Sequence, residues 1–205
     1  MNSKPSKSYH HGNLRQALLE AAELELIEKG VEKFSLRGVA KRAGVSHAAP
    51  APHFGDVTGL LSALAGVSFQ RFAHAMQSSS DAVDDQHPEK AKAKLVGIGM
   101  GYIKYASEHS DMFDLQFSSD RIDPSKALLE TLSSNSYQIL EDHVQAVLEL
   151  DNRQLKDNPD AAPMVWATTH GLASLFARRK RNGGPQGQEL QDAYERILWR
   201  TANAI

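Results

Sequence analysis

Two sets of residues in this chain have the types and spacing to do chemistry. The first lies in the stretch FSLRGVAKRAGVSHAAPAPHF, residues 34–54. Ser35, Arg37 and Lys41 supply a hydroxyl and two cations, groups that hold phosphate oxygens. Ser46, His47, Ala48 and His53 follow closely. Their hydroxyl and imidazole groups suit base edges, and a small Ala side chain meets a thymine methyl. The second set is mostly aromatic. Tyr102, Tyr105, Phe113, Phe117 and Trp166 bring apolar surface, and Thr169 and His170 bring polar anchors. Apolar walls with a few polar groups are what a small-molecule pocket needs. Trp166 and His170 are spaced to share one helical face. The same stripe also suits plain core packing with His170 hydrogen-bonded.

Other chemistries find little support. The chain has no Gly-x-Ser-x-Gly elbow, no phosphate-cradling Gly loop and no His-Glu-x-x-His pair. Ser107, Glu108 and His109 are adjacent, and neighbours on a helix point apart, so they form no triad. There are no cysteines, which excludes disulfides and thiolate metal sites. The His10–His11 pair lacks the further ligands a metal needs. Neither catalysis nor a metal or cofactor is expected.

Charge is a weak guide. The net charge is -2. Residues 1–60 carry 8 Lys and Arg against 6 acids, and residues 61–205 carry 15 against 19. The first part therefore leans basic, and His10, His11, His47 and His53 add to it near phosphate. A Ser-, Lys- and His-rich arm over residues 1–12 could touch phosphates or stay solvated. Arg178, Arg179, Lys180 and Arg181 stand at a helix C-terminus, where they oppose the negative end of the dipole. A hydrophobic content of 41% supports a packed core. No apolar run approaches the roughly 18 residues of a membrane span, and the N-terminus lacks the apolar core of a signal peptide. A cytoplasmic protein with no membrane contact is expected.

The elements that must position these residues read as helices. Leu14, Ala17, Leu18, Ala21, Leu24 and Ile27 recur at helical spacing over residues 13–29, and Gly30 ends the run. Ser35 caps a short helix carrying Leu36, Val39 and Ala40, and Gly44 turns the chain. Ser46 caps a very short second segment, residues 47–53. Phe54 plugs the core, and Asp56 caps a long helix with Leu60, Leu61, Leu64, Val67, Phe72 and Met76 inward. Two short helices joined at a glycine form a helix-turn-helix. Polar residues 78–89 make a break. Pro88 then opens a helix whose Gly97, Gly99 and Gly101 imply close packing first, or else room for a ligand. A short helix follows over residues 109–120, then a long one from Pro124 with Leu128, Leu132, Ile139, Val144 and Val147 inward. Two final helices span residues 162–180 and 188–203. No strand-like alternation stands out. The chain is expected to be all-α with about nine helices: an N-terminal arm and reading head over residues 1–60, and a helical body over residues 61–205.

These residues resemble the TetR family of transcriptional regulators. YHHGNLRQALLEAAELELIEKG is similar to the first helix of that family, and FSLRGVAKRAGVSHAAP with HFGD to its helix-turn-helix. WATTHGLASLF, residues 166–176, resembles the C-terminal domain type named for Trp, His and Gly, here Trp166, His170 and Gly171. The resemblance implies an all-helical homodimer paired through its last two helices. It implies a double-stranded DNA operator, a small-molecule effector bound in the body, and most often repression. The effector acts by favouring one separation of the two heads.

The head departs from the family pattern. Ala51 and Pro52 stand where Tyr and often Arg are usual, Val57 where Lys is usual, and Gly38 where a capping-box Glu is frequent. Ala51 and Val57 each remove a phosphate contact. Pro52 removes an N–H and disfavours helical geometry at Ala51. Two readings follow: an unusual operator, or operator binding that is weakened or lost.

Overall fold

The computed structural model describes residues 14–118, 120–181, 183 and 187–205. Among the described residues there are nine α-helices, two single-turn 3₁₀ segments and no strand. The helices are α1 (Leu14–Lys29), α2 (Leu36–Ala43), α3 (Ala51–Phe54), α4 (Val57–Asp81) and α5 (Lys90–Glu108). Then come α6 (Ser110–Ser118), α7 (Ala127–Leu148), α8 (Ala161–Arg181) and α9 (Gln188–Ala202). The arm over residues 1–12, with His10 and His11, lies outside the described residues, as do the side chains of Leu128, Arg179, Lys180 and Arg181.

α1 is helical where its spacing says, but its phase differs. Leu18, Leu19, Ala22 and Leu26 are buried, whereas Leu24 is 53% and Ile27 55% exposed. Apolar residues nearly encircle this helix, so spacing alone cannot choose the inward face. The choice is made by Glu25, buried between α1 and α2, where Arg42 reaches its carboxylate at 3.2 Å. Gly38 makes room for that carboxylate, since a Cβ there would lie 2.0 Å from Glu25 Oε1. A carboxylate from the neighbouring helix thus fills the space of the missing capping-box side chain.

The caps follow sequence closely. Ser35 Oγ accepts the Gly38 N–H at 3.1 Å, and Asp56 Oδ1 accepts the Gly59 N–H at 2.7 Å. Gly44 is left-handed, with φ 69°, and its N–H closes α2. Two helix starts fall later than the prolines suggest. Pro88 precedes the Glu89 cap of α5. Pro124 lies in a turn where Asp123 accepts from the Ser125 N–H and hydroxyl, so α7 begins at Ala127.

α4 is the axis on which the rest is hung. Leu60, Leu61 and Leu64 are wholly buried, and one continuous apolar core runs from α1 and α2 through α4 into α5–α9. Val67 is only half-buried, as are Leu132 and Ile139 on α7. α5 lies tightly along α4. A Cβ at Gly101 would stand 2.5 Å from Ala75 O, and one at Gly97 2.9 Å from Ser79 O. Gly99 faces Leu198 of α9. Gly97 and Gly101 therefore serve the packing of α5 on α4, while Gly99 packs against α9 and also borders the body cavity.

Candidate nucleic-acid interface and effector cavity

The head is assembled by α1–α3 and the start of α4. Ser46, His47, Ala48, Ala51, Pro52 and His53 are all exposed and sit in one short stretch. Residues 47–50 form a turn stabilised by the Ala49 N–H on Ser46 O at 3.0 Å. Ser46 makes no side-chain cap here; Pro50 is the residue that opens α3, with φ -70° and ψ -34°. His53 and Phe54 both donate backbone N–H groups to Pro50 O at 3.1 Å. The expected disturbance by Pro52 does not occur. Pro52 falls in the first turn, where the N–H it lacks would have had no partner in the helix, and Ala51 is helical. α3 is short for another reason: Gly55 (φ 76°) turns the chain into the Asp56 cap.

Phe54 is half-buried and carries the Arg15 guanidinium 5.3 Å above its ring, which ties α3 to α1. Arg42 is committed to Glu25 and Glu28. Arg37 and Lys41 are exposed and join no ion pair among the described residues. Both lie on α2, the helix that Ser35 caps at its start and Gly44 ends before the turn into α3.

The body holds a cavity of about 130 Å³ between α4–α8. Phe69, Phe72 and Met76 line it from α4, and Ile98, Gly99 and Tyr102 from α5. Phe117 closes one side from α6. Ser133, Ser136, Tyr137 and Leu140 line the α7 wall, and Val165, Trp166 and Thr169 the α8 wall. No acid or base is among these residues.

The expected pocket residues separate into three groups. Tyr102, Phe117, Trp166 and Thr169 are on the wall. His170 and Phe113 stand behind it. His170 Nδ1 shares a 2.7 Å hydrogen bond with the Tyr102 hydroxyl, and its ring packs against Trp166 at 5.6 Å and Phe117 at 5.1 Å. Phe113 is 2% exposed and packs against Tyr102 and His170. Tyr105 is off the cavity, since Ser68 of α4 takes its hydroxyl at 2.7 Å. Burial holds His170 below its ordinary pKa, so the ring is neutral near neutral pH. Burial also raises the Tyr102 phenol, and pushes Tyr105 up to about 12.

Among the described residues, two side chains bury polar atoms without a hydrogen-bond partner: the Gln116 amide on α6, which does not line the cavity, and the hydroxyl of Thr169, a residue that does. Thr168, next door, back-bonds to Met164 O at 2.9 Å, whereas Thr169 makes no such bond. An unmet buried hydroxyl costs about 1–3 kcal/mol. The residues that spacing missed lie mainly on α4 and α7. Their pattern, Phe69, Phe72 and Met76 or Ser133, Ser136, Tyr137 and Leu140, is ordinary helical periodicity and does not separate cavity from core.

A helical reading head on one end of a long shared helix, and an apolar cavity in the body at the other, define a ligand-responsive DNA-binding regulator. Two family models match the chain: "Bacterial regulatory proteins, tetR family" over residues 18–64, and "Tetracyclin repressor-like, C-terminal domain" over residues 95–200. The chain belongs to the TetR family of bacterial transcriptional regulators. It is similar in structure to a protein with unknown function from Rhodococcus sp. RHA1, at 30% identity, TM-score 0.77, and 95% and 98% coverage of the two chains. A TetR family transcription regulator from Marinobacter aquaeolei VT8 shares the fold at 19% identity, TM-score 0.68, covering 93% and 95%. So does the TetR family regulator PfmR from Thermus thermophilus, at 22% identity, TM-score 0.65, covering 90% and 97%. No curated protein matches the sequence.

Proposed function

We propose that this regulator acts in the cytoplasm as a homodimeric repressor whose operator is read by the edge running from Ser46 to His53. The observation that carries this reading is the position of the two prolines. Pro50 opens α3 and Pro52 sits in its first turn, so Ala51–Phe54 stays helical, residues 47–50 lead into it as a turn, and Ser46, His47, Ala48 and His53 stay exposed. Ser46, His47, Ala48 and His53 face the bases in this reading, and Ser35, Arg37 and Lys41 hold phosphates. The functional division falls near residue 60, with the head before it and the effector and dimer body after it. The body is read as the subtype named for Trp166, His170 and Gly171, supported by the Trp166–His170 ring contact.

The dimer face in this reading is on α8 and α9. Met164 and Leu175 are 38% and 63% exposed, and helical spacing puts them in line with Thr168 and Gly171. A Cβ on Gly171 would meet nothing within the chain, which leaves room for a partner helix.

A second reading keeps the dimer and the cavity but weakens the operator contact, because Ala51, Pro52 and Val57 bring neither hydroxyl nor cation. Footprinting on DNA upstream of the coding sequence separates the two. Protection of two half-sites about one helical turn or a multiple apart supports the proposal. No protection, restored by Ala51→Tyr, Pro52→Arg and Val57→Lys together, selects the second reading.

A further inference from the structure

We infer that the effector is an uncharged, single-ring aromatic molecule with one hydroxyl or carbonyl group, and that this group bonds to Thr169 Oγ1. The inference rests on reading the cavity as the effector site.

Size comes first. The cavity measures about 130 Å³. A dry apolar cavity of about 150 Å³ takes benzene. This space is on the scale of a single ring, with any substituent set toward the wall or the open side, and is too small to enclose a polycyclic molecule.

The walls then favour an aromatic ring. Phe72 meets Tyr102 edge-to-face at 4.5 Å and 86°, and Phe69 meets Phe117 at 5.6 Å and 73°. These rings already hold perpendicular orientations, so a flat guest can meet edges on some sides and faces on others. Trp166 is 41% exposed while lining the cavity, which places it where a guest would enter.

Charge is excluded by what is missing from the wall. Among the described residues, no Lys, Arg, Asp or Glu lines the cavity. The nearest titratable ring, His170, is already bonded to Tyr102 and held neutral by burial. A carboxylate or ammonium would be stripped of water with no counter-charge.

The polar anchor is Thr169. The residue is only 3% exposed, and its hydroxyl lacks the backbone bond that Thr168 makes. Ser136 and Ser133, also on the wall, already donate to Leu132 O and Glu130 O. The Tyr102 hydroxyl is paired with His170, and Tyr137 is only half-buried. Among the described residues, that leaves Thr169 as the buried hydroxyl on the wall without a partner. Thr169 can donate or accept, so alcohols, phenols and aromatic aldehydes all satisfy it.

The test uses the full-length protein in a Trp199→Phe background, so that Trp166 is the one remaining tryptophan. Benzyl alcohol, toluene, benzoate and benzylamine are titrated near neutral pH, with Trp166 fluorescence as the readout. Benzyl alcohol is expected to bind saturably, at least about tenfold tighter than benzoate or benzylamine. Thr169→Val should weaken benzyl alcohol about tenfold and leave toluene unchanged. Ser133→Phe, which fills the cavity from its wall, should abolish both. A charged probe that binds as tightly as benzyl alcohol, and is lost in Ser133→Phe, overturns the ligand class but leaves the cavity as the site. Benzyl alcohol binding that Thr169→Val does not change overturns the anchor. No response to any probe, or responses indifferent to Ser133→Phe, overturns the cavity reading itself.

Discussion

Lys41 and Arg42 are neighbours with opposite duties. Arg42 is engaged by Glu25 and Glu28 inside the head, while Lys41 is exposed and joins no ion pair among the described residues. Lys41→Ala is therefore expected to leave the melting temperature nearly unchanged. It should lower the slope of log affinity against log salt by about 0.9, the share of one phosphate contact. Arg42→Ala should do the reverse, lowering the melting temperature because Glu25 is left buried without its cation. His170 gives a second residue-scale expectation. Its folded pKa lies below the ordinary 6.5, so the folded state binds the proton less well than the unfolded chain. The stability it brings is complete above that ordinary value and is lost as pH falls below it. Melting temperature against pH should slope downward on acidification below about pH 6.5, and His170→Gln should flatten that slope.

At the scale of elements, the packing of α4 on α5 is the most constrained contact. Gly101→Ala would push a methyl toward Ala75 O, 2.5 Å from its Cβ. Overpacking of this kind costs roughly 1–3 kcal/mol, against a helix-propensity gain near 1 kcal/mol. A lowered urea midpoint with an unchanged m-value is the expected result. Such contacts also mark what the sequence could reveal. The caps at Ser35, Gly44 and Asp56 were legible because a cap depends on a few local backbone groups. The helices themselves were legible from periodicity. The inward face of α1 was not, because Leu24 and Ile27 are as apolar as Leu19 and Leu26, and the decision lies with Arg42, distant in sequence. The cavity was half legible. Tyr102, Phe117, Trp166 and Thr169 were found through their aromatic and polar types, but Tyr105 was not separable from them, since only α4 offers the Ser68 that removes it. Ser133 and Tyr137 of α7 carried no local signal at all.

At the scale of the molecule, head and cavity are joined by two routes. α4 lines the cavity with Phe69 and Phe72 and holds α1 through Arg71, which meets Glu23 at 2.6 Å. The segment after α6 follows Phe117 and reaches the head, where Arg121 donates to Val31 O. Asp123 there also donates its backbone N–H to Ser62 Oγ of α4 at 2.8 Å. A guest against Phe72 and Phe117 thus touches both routes, and shifts the heads only so far as it prefers one arrangement of them. The proposed dimer is the second feature at this scale. Leu175→Glu places a charge on the exposed α8 stripe. Light scattering should then report a monomer, and affinity for a two-half-site duplex should fall far more than affinity for a single half-site.

The edge from Ser46 to His53 is tested most directly by fluorescence anisotropy with the protein's own upstream DNA and a random duplex of equal length, across a salt series. We expect the upstream duplex to bind at least about a thousandfold tighter than the random one at moderate salt, with His47→Ala and Ser46→Ala narrowing that ratio. Equal affinity for the two duplexes, or a ratio that both substitutions leave untouched, would contradict it.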